Sequence, residues 1–131
     1  MPHKENYVKS IYAETWLEDD IVVQSLNPYI NEVNLQMAKQ LVADRKMASG
    51  VEEKAVPVLL LVNNIVNAQK ETHEYYATEE PFINIIAIAM VIDNFVARLV
   101  ASIIFTFKKS SVPTEIFGNK EKALQWLQQY K

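Results

Sequence analysis

The chain contains no cysteine and only two glycines, Gly50 and Gly118, in 131 residues. The first absence removes disulfides, thiolate nucleophiles and cysteine metal sites together. The second rules out a glycine-rich loop that would cradle phosphates. An excess of positive charge is missing too. Lys plus Arg number 13 against 16 Asp plus Glu, a net charge of −3. Binding of nucleic acid needs a concentrated basic surface, and pairs such as Lys108-Lys109 are too small a footprint for one. A membrane span is excluded on length: about 20 apolar residues are required in a row. The longest stretch free of charge and Asn, Leu99–Phe107, falls well short and includes Ser102 and Thr106. The N-terminal MPHKENYVKS has no apolar core of the kind a secretory signal carries. The expectation is a cytoplasmic protein, one domain over residues 1–131, with residues 1–6 unstructured.

What is present is an apolar region from Pro81 to Phe107 that Asp93-Asn94 divides into two pieces of different period. The first, INIIAIAMV, is rich in β-branched residues and apolar at every position after its Asn, as in a strand buried on both faces. The second, NFVARLVASIIFTF, steps like a helix. Around 100° per residue, Arg98, Ser102 and Thr106 form one polar strip, and apolar residues fill roughly 240° of the rest. One sheet needs a stripe little more than about 100° wide, so a second partner for this helix is expected. A second copy is the simplest, since two-fold homodimers are the commonest oligomers. The candidate dimer surface is Leu99, Val100, Ile103, Ile104 and Phe107.

The remaining elements follow from alternation and punctuation. Tyr7–Leu17 alternates as a strand, Glu18-Asp19-Asp20 is a tight turn, and Ile21–Leu26 returns. Asn34 caps a first helix with its stripe on Leu35, Ala38, Leu41, Val42 and Arg45, closed by Ser49-Gly50. Val58–Val62 is a central strand. Asn67 caps a second helix to about Thr78, and residues 84–91 form the next strand. A third helix runs from a cap at Asp93 to Phe107. Val112–Phe117 is a short strand, and Asn119 caps a last helix whose stripe is Ala123, Leu124, Leu127 and Tyr130. The fold class is α/β: a mostly parallel sheet of about five strands, with one antiparallel edge strand and four helices.

That order, with AETWLEDDIV in the hairpin, MAKQLVADR in the first helix and IFGNKEKALQWLQQYK at the end, resembles the STAS-like domains of the anti-sigma-factor-antagonist type. The resemblance is in particular to the small bacterial SpoIIAA-like group. The resemblance implies a SpoIIAA/STAS-like fold and a non-catalytic module that binds or regulates another protein. In its phospho-switched members an Asp-Ser pair opens the helix after the central strand, and a partner kinase phosphorylates the serine. The corresponding position here reads Asn67-Ala68, which offers no hydroxyl, so the switch is absent.

No residue set supports catalysis, a metal or a cofactor. His73-Glu74 lacks the second His that zinc needs one turn on, because position 77 is Ala. Asp19-Asp20 and Glu79-Glu80 are adjacent acids in turns, not carboxylates facing each other across a cleft. The candidate partner-binding loop is Asn63, Asn64 and Asn67, three amides at the C-terminal edge of a central strand. Their alternative role is to satisfy loop amides and cap the helix. The rival functional reading is a carrier of a small apolar or lipid ligand, similar to the CRAL-TRIO group, with the surplus apolar surface lining a cavity. The identity of partner, ligand and pathway is not written in the sequence.

Overall fold

A computed structural model describes residues 4–50, 55–62, 67–92, 94–99 and 112–131. Its main sheet has six strands: β1 (Glu5–Lys9), β2 (Ala13–Glu18), β3 (Ile21–Leu26), β5 (Val56–Val62), β7 (Ile85–Ile92) and β8 (Thr114–Phe117). They lie side by side in the order β1-β2-β3-β5-β7-β8. β3, β5, β7 and β8 run parallel, and β2 runs against them. The α/β class and mostly parallel sheet are those expected from the sequence.

One strand more is present than expected, because Tyr7–Leu17 is not continuous. The Ser10 hydroxyl accepts hydrogen bonds from Tyr12 N (3.2 Å) and Ala13 N (3.3 Å), and Ser10 N donates to Ala13 O (3.0 Å). The chain reverses there, and β1 folds back antiparallel on β2. The antiparallel strand is therefore one place in from the edge. Glu5 and Asn6 already belong to β1, within the stretch expected to be unstructured. The β2–β3 turn is the Asp19-Asp20 pair, both at positive φ, as a two-residue hairpin turn requires.

Two layers cover the sheet. α1 (Leu35–Ser49) starts at Asn34, whose side chain accepts from Met37 N, and stops at Gly50 in the left-handed conformation. With α2 (Lys70–Tyr76) it packs on the face carrying Ala13, Leu26, Val62, Met90 and Ile92. Of α3, residues 95–99 are described, and Ala97 joins the same core. On the opposite face α4 (Lys120–Leu127), capped by Asn119, sets Ala123 and Leu127 against Leu59, Ala87 and Ala89. Small residues on both sides let helix and sheet approach closely. Each large apolar side chain so buried contributes on the order of 2 kcal/mol.

A separate two-residue parallel pair joins β4 (Glu32–Val33) to β6 (Asn67–Ala68). It corrects the expected start of the second helix. Asn67 is extended and paired with Glu32, and α2 begins only at Lys70 with Gln69 as its N-cap. Ladder partners on the β3–α1 connection keep the chain extended beyond the point where an Asn cap alone would have turned it. At the start of α3 the Asn94 side chain accepts from Ala97 N at 3.0 Å, as a cap does. Asp93 lies outside the described residues.

Candidate functional site

Parallel strands bring all their C-terminal ends to one edge, which is where open α/β sheets place binding loops. Here that edge collects the turn before β2, the segment after β3, the start of α2, and the starts of α3 and α4. Ala13 pairs with Leu26, so the Ser10–Tyr12 turn sits beside the exit of β3.

Asn27 braces these two segments. Its N–H donates to Tyr12 O (2.8 Å), its Nδ2 to Ile11 O (3.3 Å), and its Oδ1 accepts from Tyr29 N (3.0 Å). Ile30 N closes the turn on Asn27 O at 3.1 Å. The bracing holds Ile11 and Tyr29 in solvent, 76% and 93% exposed. Apolar side chains that the backbone presses outward in this way cost hydration free energy unless something covers them.

Further along the edge, Arg98 donates from Nη1 to Ile92 O at 2.7 Å and lies across Gly118. A Cβ at position 118 would stand 3.1 Å from that nitrogen, so glycine there makes room for the guanidinium. Pinned by Arg98 and by Ala97 in the core, the first turn of α3 leaves Phe95 (64%), Val96 (65%) and Leu99 (50%) exposed. Of the candidate dimer residues, Leu99 is seen on this outward face, whereas Val100, Ile103, Ile104 and Phe107 lie outside the described residues. Asn63 and Asn64 of the candidate loop also lie outside them, and Asn67 is in β6 at the same edge.

The start of α2 is tied down. Val33 O accepts both Gln69 N (3.1 Å) and the Thr72 hydroxyl (3.0 Å), and Gln69 Nε2 donates to Glu32 Oε1 (3.0 Å). Thr72 is fully buried. Its hydroxyl is turned inward and donated to the backbone of β4.

Beneath α1 lies a polar cluster that the sequence did not reveal. Gln24, on the helix-covered face of β3, donates from Nε2 to Thr15 Oγ1 and to Leu41 O, both at 3.0 Å. Its Oε1 accepts from Arg45 Nη1, also at 3.0 Å. Arg45 is only 6% exposed. Burial pulls its guanidinium below the ordinary arginine value, with Tyr76, Tyr75 and Asp44 acting the other way. Burial likewise raises the Tyr76 phenol, partly offset by Arg45. Asp44 takes Gln40 Nε2 on Oδ1 at 2.8 Å. These groups lock α1 to the sheet. They do not form a nucleophile and base aimed at open space. No cluster of three or more metal-binding side chains occurs among the described residues.

A family model described as "Domain of unknown function (DUF7793)" matches residues 15–131. The search of curated proteins finds no match. Among solved structures the chain is similar to an uncharacterised protein of the DUF3478 family, with a SpoIIAA-like fold, from Shewanella loihica PV-4. The two are 12% identical, over 96% of this chain and 93% of that one, with a TM-score of 0.59. At that identity the likeness establishes the fold alone, and the fold is SpoIIAA-like.

Proposed function

The chain belongs to the DUF7793 family, and from its SpoIIAA-like fold we propose that it is a non-catalytic module that binds another protein through the C-terminal edge of its sheet. The observation that carries this reading is the outward first turn of α3, with Phe95, Val96 and Leu99 all half or more exposed. A regulatory role without a phosphoserine switch fits Ala68 at the switch position and Thr72 buried behind Val33. No helix among the described residues is long and apolar enough to cross a membrane. A cytoplasmic location is part of this proposal. No observation favours the rival reading, a carrier of apolar ligands.

The proposal includes a homodimer in which a second copy covers α3. The sequence pattern through Phe107 supports this, as does Leu99 on the outward face. In sedimentation at micromolar concentration the wild type is expected to run as a dimer, and Leu99→Glu as a monomer. A carboxylate at the centre of such a contact would be buried without a partner, at a cost of several kcal/mol. A monomeric wild type would refute the dimer while leaving the partner-binding edge to be tested by capture from the native cell.

The absent switch has its own test. Intact-mass analysis of protein isolated from its own cells should find no stoichiometric phosphate on Thr72. Finding it there would mean that α2 detaches in the cell and that the switch reading is wrong.

A further inference from the structure

We propose that residues 27–34 and residues 67–76 open and close as one unit, latched at the carbonyl oxygen of Val33, so that a displacement of the Tyr29 loop is felt at the start of α2. Neither segment is self-sufficient. α2 has seven residues, well under the dozen or so that an isolated helix needs to persist in water. The β4–β6 ladder spans two residues per strand, too few to hold alone.

What holds them is shared. The Val33 carbonyl receives Gln69 N at 3.1 Å and Thr72 Oγ1 at 3.0 Å, so one acceptor fixes both the cap residue and the first turn of α2. Gln69 Nε2 adds a bond to Glu32 Oε1 at 3.0 Å. Val33 and Tyr75 enter the same core cluster, together with Met37 and Ala38 of α1. Because Thr72 is fully buried, water cannot replace its lost bond unless α2 lifts away. Lifting residues 67–76 removes β6, the ladder partner of β4, and release of β4 removes the acceptor of Gln69 N and Thr72. At its other end the 27–34 segment is braced by Asn27 and carries Tyr29, 93% exposed, as its outermost side chain. A shift of this loop therefore acts on α2 through the latch. By linkage, any change at α2 acts equally on the loop.

Hydrogen exchange read by mass spectrometry on the full chain tests the coupling directly. Thr72→Val keeps the shape and deletes the donor. Loss of a buried hydrogen bond of this kind should raise local exchange about tenfold. The rise is expected in peptides covering both 28–34 and 70–76, with β5 and β7 unchanged. Thr72→Ser, which retains the hydroxyl, should exchange like the wild type. Pro28→Gly, which loosens the loop from its far end, should give the same paired response and decides the matter alone if Thr72→Val does not fold. A rise confined to one segment, in either variant, overturns the proposal.

Discussion

Arg45→Ala is expected to destabilise the protein by about 3–4 kcal/mol, the sum of a buried acceptor left unpaired and a cavity left unfilled. Arg45 is buried, and its Nη1 holds Gln24 Oε1 at 3.0 Å. Gln24 is fully buried in the middle of β3, and its amide also reaches Thr15 of β2 and the backbone of α1. Removing Arg45 strands the amide oxygen where water does not reach it. A domain of this size has about 5–15 kcal/mol of stability in all, so the loss is a large fraction. Arg45→Lys should rescue little, because a single ammonium lacks the fork that spans Gln24 and Pro81 O. Arg45→Met combined with Gln24→Leu removes both polar ends and should recover part of the loss. Urea unfolding followed by far-UV circular dichroism measures each variant. A cost below 1 kcal/mol for Arg45→Ala would show that α1 is held by its apolar stripe alone.

The second large effect is expected at Leu127. This residue is fully buried where the last turn of α4 meets the sheet, among Leu59, Ala87 and Ala89. Leu127→Ala should cost about 3 kcal/mol, from lost transfer free energy and an incompletely collapsed cavity. The cap at Asn119 is remote from the change, so helix content should hold while packing loosens. Trp126 lies between Phe117 and Tyr130, its ring tilted against both, which makes its fluorescence the reporter. Red-shifted emission with a lowered urea midpoint is the expected pair of results. An unchanged midpoint would mean that α4 is dispensable for the fold.

Much of the architecture was legible in the sequence because it is written locally. The Asp19-Asp20 turn, the Asn34 and Asn119 caps, the Gly50 stop and the apolar runs of β5 and β7 each depend on a few neighbouring residues. The misreadings came where distant segments decide. Alternation from Tyr7 to Leu17 continues straight through Ser10, although its hydroxyl reverses the chain. Asn67 has the chemistry of a cap, but a strand 35 residues earlier in the chain keeps it extended, as the Glu32–Asn67 register shows. Nothing local in Ile21–Leu26 marks Gln24 as buried, and only Arg45 on α1, itself read as one more member of a stripe, makes its burial tolerable. At the candidate site Leu99, read from the sequence as part of a dimer surface, is half exposed, whereas the exposed Tyr29 and Ile11 were not singled out. A lone exposed aromatic in a Pro-containing loop has no periodicity to give it away.

The strand order β1-β2-β3-β5-β7-β8 follows the order of synthesis without a single insertion. Each strand, as it leaves the ribosome, meets the open edge of those already made and never has to force itself between two that are paired. The meander β1–β2–β3 needs only tight turns, so a template exists before the first helix is complete. The waiting edge is then always the one that the next parallel strand will cover, which shortens the time it is bare to other chains. The sheet is built by accretion, like courses of brick, and the last course, β8, is also its shortest in the parallel half.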